Sequence, residues 1–453
     1  MRFLLAFLLV ITLTTGCSSI GKIENDPVLQ LPQAQQRYSA RNHANYHHDG
    51  DTLLLLAFSG GGTRAAALSY GVLEELRDTR YQSHGKEIRL LDEVDRISSV
   101  SGGSFTSAYY GLFGDQIFSD FKEVFLYKDV QGDLSSLVFG FFDLMGRMFS
   151  THSRTEIAID YYDKHIFRGK TFADLQSSGG PFIMINATDL NSQSQFIFLQ
   201  AQFDFLCSDL SQFKVARAVA ASSAVPILFP PILLERHADC EYEKPIWLSD
   251  AEKEAERNGD ERLKQSVNAL DFYLDKDNPS FVTLLDGGVT DNLGLRTILK
   301  SVSLSGGAQN VFDRNYKAQK PPERLVVIVV DASTTSETDI GKSRMLPSIG
   351  DTLSAVTDIQ LHLYNTETNS LLKEKIQQWA TTISTQEHPV TPYFIDLNVT
   401  DIQEHADRVY FNRVPTSFSL EKEQADRLIK MARQMLRQNP QYQKLLHQLG
   451  AGT

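Results

Sequence analysis

The sequence predicts an α/β fold with a mostly parallel central sheet, on three observations. An unbroken apolar run, TLLLLAF at Thr52–Phe58, leads through a glycine turn into a stretch with helical periodicity. The same grammar returns at residues 90–113, LLDEVDRISSV then SGGSFTSAYYGLF. Further apolar runs, PFIMINATDL, FVTLLDGGV and RLVVIVVDAS, read as more strands. Repeated strand–turn–helix units place helices on the faces of a parallel sheet. In such sheets ligands gather at the C-terminal ends of the strands, so both glycine turns belong to one rim.

The first element is MRFLLAFLLVITLTTGC. One basic residue, Arg2, precedes an apolar run from Phe3 to about Leu13. The run is too short to span a bilayer and reads as a signal peptide over residues 1–17. Its LTTGC ending is similar to a bacterial lipobox, which makes Cys17 the expected lipidation site; an ordinary secretory signal is the alternative. Ser18 in place of Asp is similar to the outer-membrane sorting pattern, so the expected location is the bacterial cell envelope, lipid-anchored. Residues 18–51 are polar and aperiodic and read as a tether, with an average span of roughly 30 Å for about 30 flexible residues.

From Asp51 onward the apolar and charged fractions are those of a folded body. A formal charge of −12 argues against nucleic acid and against a broad basic docking face. Beyond Cys17 only Cys207 and Cys240 remain; they either pair or stand as two buried thiols. No CxxC, HExxH or EF-hand loop is present, so neither a metal nor a cofactor has sequence support.

In order, Thr63–Arg77 reads as a helix with Leu68, Val72, Leu73 and Leu76 on one face. SQFIFLQAQF reads as a strand. FKVARAVAASSAVP is a small-residue helix stopped at Pro226. Residues 303–324 read as a loop. Residues 351–382 and 419–438 read as long helices, the second capped by Ser419, with TPYFIDLNV a strand between them. LSSLVFGFFDLMGRMF, Leu134–Phe149, is either an interfacial lid carrying Phe141 and Phe142 or a core helix.

Three turns carry chemistry. Gly60, Gly61 and Gly62 open a helix, so their backbone N–H groups can converge on an anion, either a phosphate or the oxyanion of acyl transfer. No P-loop or dinucleotide spacing accompanies them. Ser99-Val100-Ser101-Gly102-Gly103 approximates the G-x-S-x-G nucleophile elbow, with Ser101 central and Ser99 in the leading glycine position. Asp286, before Gly287 and Gly288, ends a strand at the same rim; Asp291 and Asp331 compete with it. Eleven histidines are present, and none lies at a comparable turn; His237 is the nearest approach to a triad member. That favours a dyad in which Asp286 takes the Ser101 proton directly.

Taken in order, Gly60-Gly61-Gly62-Thr63-Arg64, the Ser101 elbow and Asp286-Gly287-Gly288 resemble the patatin-like phospholipase family. NATDL at Asn186–Leu190 and AASSAVPILFPP at Ala220–Pro231 are also similar to it. The resemblance runs from Thr52 to Ser333. It implies a three-layer α/β/α body over residues 52–335, followed by a helical extension over residues 336–453 packed on it. It implies hydrolysis of acyl esters in membrane lipids, without calcium or another cofactor. By this resemblance Ser101 attacks the carbonyl and Asp286 is its base. The loop Gly60, Gly61 and Gly62 forms the oxyanion hole, through the N–H groups of Gly61 and Gly62, and Arg64 supports it. Three positions depart from the family pattern: Ser59 for Asp, Ala65 for Gly and Ser99 for Gly. Two other functions remain open, acyl transfer on the same site and a catalytically decayed, lipid-binding envelope protein.

Overall fold

The computed structural model describes residues 21–33, 37–43, 51–139, 153–226, 228–237, 240, 242–316, 320–334, 344 and 346–451. Among these, ten strands occur: β1 (Thr52–Phe58), β2 (Arg80–Ser83), β3 (Lys86–Arg89), β4 (Val94–Val100), β5 (Phe182–Asp189), β6 (Ser194–Ile197), β7 (Ile232–Glu235), β8 (Phe281–Asp286), β9 (Arg324–Asp331) and β10 (Thr391–Asn398). Eight form one sheet in the order β10-β9-β1-β4-β5-β8-β7, with β6 also paired to β5, while β2 and β3 make a separate hairpin. The run from β10 to β5 is parallel throughout; β6 and β8 pair antiparallel to β5, and β7 antiparallel to β8. The long apolar runs are the central strands. Every residue of β5 and β9 is buried, which is why these stretches lack polar alternation.

The helices that position the site are α1 (Gly62–Asp78), α2 (Gly102–Phe113), α3 (Val215–Ser222), α4 (Ile246–Asn258), α5 (Leu295–Leu304), α6 (Ala308–Tyr316), α7 (Ile349–Ile383) and α8 (Lys422–Gln438). They cover both faces of the sheet. A Cβ on Gly111 of α2 would lie 2.5 Å from Ile183, whereas one on Gly294, before α5, would lie 3.0 Å from the Ser98 hydroxyl. Ser98 pairs with Met184, so Ile183 points to the opposite face. The result is a mixed, mostly parallel sheet between two helical layers.

Leu68, Val72, Leu73 and Leu76 of α1 are buried as their spacing predicts. The opposite side of α1 is covered by α8, whose Leu428, Ile429 and Ala432 are buried. The approach is close: a Cβ on Gly71 would lie 2.5 Å from the Ile429 carbonyl. Arg433 and Arg437 of α8 both donate to Glu75. Meanwhile β10 pairs with β9 from Thr391↔Arg324 to Asn398↔Asp331. Described residues from 346 to 451 therefore complete the sheet and its outer layer.

Several expectations are corrected. Residues 303–324 contain α6; among its described side chains Ala308, Val311 and Phe312 turn inward, too few apolar positions to register as a helical period. Helix α8 starts at Lys422, capped by Glu421 and Gln424, with Gln424 returning to the Glu421 N–H at 3.2 Å; Ser419 lies outside it. The described parts of the 18–51 tether lie against the body. Asn25 donates to Ser208 Oγ (2.8 Å) and the Glu235 carbonyl (2.7 Å). Tyr38 is buried and its hydroxyl donates to the Ile183 carbonyl at 2.8 Å. The segment is polar because it bonds to polar edges of the fold, which composition does not distinguish from solvation. Cys207 and Cys240 form a disulfide across a Cα separation of 5.6 Å. A helix covers Val130–Phe139, and the rest of the expected lid, including Phe141 and Phe142, lies outside the described residues.

Candidate active site

The site is assembled from the C-terminal ends of β1, β4, β8 and β9. Ser101 is the single residue between β4 and α2, with φ 49° and ψ −122°. A non-glycine residue in that region carries about 1–3 kcal/mol of strain and must be held by its neighbours. Its N–H donates to Ser222 Oγ at 2.8 Å, and Ser222 Oγ donates to the Asn186 carbonyl at 2.6 Å. The Gly103 N–H donates to the Ser59 carbonyl at 3.2 Å, joining the elbow to the glycine loop.

Asp286 ends β8. Ser101 Oγ donates to Asp286 Oδ2 at 2.9 Å, and the Gly288 N–H donates to Oδ1 at 2.7 Å. The Asp286 N–H is bonded to the Ala224 carbonyl at 3.0 Å, and Thr188 Oγ1 donates to the Asp286 carbonyl at 2.9 Å. Both members of the pair are buried. Burial pushes the Asp286 carboxyl up to about 6, against the opposing effect of its bonds from Gly288 and Ser101. Ionised at neutral pH and destabilised by burial, the carboxylate is able to accept a proton.

The glycine loop lies beside the hydroxyl. A Cβ on Gly60 would lie 3.4 Å from the Ser101 Cβ, and one on Gly102 only 1.9 Å from the Gly62 carbonyl, so the loops meet where no side chain fits. Gly61 has φ 139°, open only to glycine. The N–H groups of Gly61 and Gly62 have no acceptor among the described residues, and they stand at the N-terminus of α1. Two free donors and a helix terminus beside the Ser101 hydroxyl form an arrangement that can receive a small anion. Gly60 is corrected: its N–H is occupied by the Asn292 carbonyl at 2.9 Å, so it shapes the loop without donating to the hole.

Arg64 is buried and turned away from the reacting side. Nε donates to the Ala332 carbonyl at 3.0 Å, one terminal nitrogen to the Val414 carbonyl and the other to Thr416 Oγ1 at 2.9 Å. Burial pulls its guanidinium down to about 10, against the nearby Asp331 carboxylate. It is a strut between the glycine loop, the end of β9 and the C-terminal chain. The Thr63 N–H adds a bond to the Ser417 carbonyl at 2.8 Å.

The competing residues have other tasks. Asp291 Oδ2 accepts from Gln195 (2.7 Å) and the Arg296 N–H (2.8 Å) at the start of α5. Asp331 accepts from the Ser333 N–H (2.9 Å) and Asn398 (2.8 Å). His237 Nε2 is bonded to the Asn25 carbonyl at 2.6 Å. Among the described residues no histidine hydrogen-bonds Ser101 or Asp286, and no three His, Cys, Asp or Glu side chains are grouped to hold a metal ion. No described helix is long and apolar enough to cross a membrane.

A family model described as patatin-like phospholipase matches residues 56–299, a span that contains the glycine loop, Ser101 and Asp286. The chain belongs to the patatin-like phospholipase family. No curated protein matches the sequence. Similar solved structures include human GIVD cytosolic phospholipase A2, at TM-score 0.45 and 12% identity, covering 95% of this chain and 66% of that one. A second is the same human protein in complex with methyl gamma-linolenyl fluorophosphonate, at TM-score 0.37 and 12% identity, covering 90% and 61%. The chain thus spans just under two thirds of the length of those structures.

The patatin-like body accommodates its three departures. Ser59 Oγ accepts the Ala332 N–H at 2.8 Å, tying the loop to β9. Ala65 packs behind the loop, 3.3 Å from where a Gly61 Cβ would lie. Ser99 is buried beneath the elbow, where its Oγ accepts from Ser107 Oγ at 2.6 Å; its extra atoms fit without crowding Ser101. Sequence reading missed Ser222, Thr188, Asn292 and residues 414–417. The first two lie in the family-like segments around residues 186–190 and 220–231, which signalled importance without a role. The last had no signal, because they contribute main-chain carbonyls and one hydroxyl.

Proposed function

We propose that this patatin-like protein is a serine lipid acyl hydrolase, and the 2.9 Å bond from Ser101 Oγ to Asp286 carries the reading. Ser101 Oγ attacks the ester carbonyl and its proton passes to Asp286. The oxyanion of the tetrahedral intermediate takes the Gly61 and Gly62 N–H bonds. Collapse breaks the bond to the alcohol, which leaves with the proton from Asp286 and gives acyl-Ser101. Water then attacks the acyl group, Asp286 again receiving and returning the proton, and a fatty acid leaves. The chemistry needs no metal or cofactor. Family membership supports membrane lipids as substrates. Arg64 acts by positioning the loop.

The signal-like N-terminus supports export to the bacterial cell envelope with a lipid anchor on Cys17 in the outer membrane. The Cys207–Cys240 disulfide supports an oxidising compartment. The test is turnover of a short-chain nitrophenyl ester and of a phospholipid, with fluorophosphonate labelling followed by peptide mapping. The reading expects label on Ser101 and a free fatty acid product. A full-chain protein that neither labels nor turns over, or that labels elsewhere, overturns it; an acyl alcohol product in place of free acid points to transfer. Loss of membrane association in Cys17→Ser tests the anchor.

A further inference from the structure

A second cavity, of about 400 Å³, lies at the other end of the same sheet. Its floor is the first half of the central strands. Leu55, Arg96 and Phe182 are register neighbours on β1, β4 and β5, on the face that carries α5 and α6. Five residue steps along the chain separate Arg96 from Ser101, about 16 Å of strand, so the cavity does not open into the dyad's rim. The walls are apolar: Ile298, Phe312 and both tryptophans of the chain, Trp247 and Trp379, line it. The volume is within the roughly 300–1,000 Å³ of small-molecule sites.

Its charge is unexpected. In a chain of formal charge −12, the cavity's charged lining residues are three arginines, Arg37, Arg96 and Arg314, with no carboxylate. Arg37 is neutralised by Asp204. Arg314 is exposed at the end of α6. Arg96 is half-buried within the apolar row, and no carboxylate pairs with it among the described residues. A half-buried guanidinium facing apolar walls is costly unless an anion completes it. An anionic head beside a hydrocarbon tail meets both demands at once.

We propose that this cavity binds a single-chain fatty carboxylate, its head on Arg96 and its chain against Trp247 and Trp379. The site is separate from the hydrolytic centre, and its occupancy does not depend on turnover at Ser101. The test is dodecanoate titration of the full chain below the micelle concentration, read by tryptophan emission, in parallel with dodecanol. Expected results are saturable binding of dodecanoate, at least tenfold tighter than dodecanol, and an unchanged isotherm after Ser101 is blocked with a short-chain fluorophosphonate. Arg96→Gln lowers dodecanoate affinity about tenfold and leaves dodecanol binding as it was. Ala308→Phe, which fills the cavity from α6, removes both signals. Both variants keep wild-type turnover of a short-chain ester. Equal binding of acid and alcohol, indifference to Arg96→Gln, or loss of binding on blocking Ser101 each overturns the proposal; an inert enzyme that still binds dodecanoate sinks only the hydrolase reading.

Discussion

The two ends of the central sheet are built to opposite specifications. At the C-terminal ends of the strands, small residues crowd together. Ser101 bonds to Ser222 and Ser59 to Gly103, while the backbones of Gly62 and Gly102 approach so closely that a missing Cβ decides what fits. At the starting ends of the same strands, large apolar side chains and two tryptophans leave a cavity. The first end holds a strained serine and a destabilised carboxylate in one geometry. The second leaves volume and a cation without a carboxylate partner. One strand, β4, serves both, with Arg96 near its start and Ser101 just past its end. Precision at the rim is supplied by main-chain contacts, whereas capacity at the far end is supplied by side-chain size.

The contrast predicts that rim substitutions act on rate and far-end substitutions do not. The largest effect belongs to Ser101→Ala, expected to lower kcat by about 10⁴-fold or more, measured as steady-state ester hydrolysis. Asp286→Asn follows, at about 10³-fold, with protein that folds and binds substrate. Residual turnover above a tenth of wild type in either variant would break the dyad. Asp286→Asn is also expected to stabilise. The folded carboxyl titrates at about 6, above its ordinary value of 3.8. Its contribution to stability is therefore full below 3.8 and lost as pH rises through 6. At pH 8 the buried charge is a cost, and removing it raises stability by about 3 kcal/mol, measurable as a higher urea midpoint.

The same value sets the acid limb of turnover. In the proposed mechanism the base is the carboxylate, so kcat/KM is expected to fall about tenfold per pH unit below 6 and to be flat just above it. A limb near pH 4 would mean that Asp286 is hydrated in solution. Arg64→Lys comes next: the ammonium cannot span the Ala332, Val414 and Thr416 oxygens. The expected loss is about tenfold to hundredfold in kcat, with KM little changed, because the glycine donors lose their strut. The smallest effect is that of Ser99→Ala, expected within about threefold of wild type because its one short bond, from Ser107, lies below the elbow. A large loss there would show that the rim's precision extends a layer deeper into the sheet.

The sequence by itself determined the strand–turn–helix grammar, the existence of β1, β5, β8 and β9 with the burial of β1, and the three glycine-marked turns that bear Ser101, Asp286 and the donor loop. These are local: a buried strand must be continuously apolar, and a turn that passes within contact of another backbone must lack a Cβ. Only the tertiary structure decided the rest. It placed Asp286 of an antiparallel strand opposite Ser101, occupied the Gly60 N–H with Asn292, and seated Ser99 beneath the elbow. It brought residues 414–417 under Arg64, drew residues 21–33 and 37–43 onto the body and joined β10 to the sheet. It also placed both tryptophans and Arg96 around one cavity. Each of these joins residues distant in the chain, often through carbonyls that every residue carries, and a group common to all residues leaves no mark in the order of side chains.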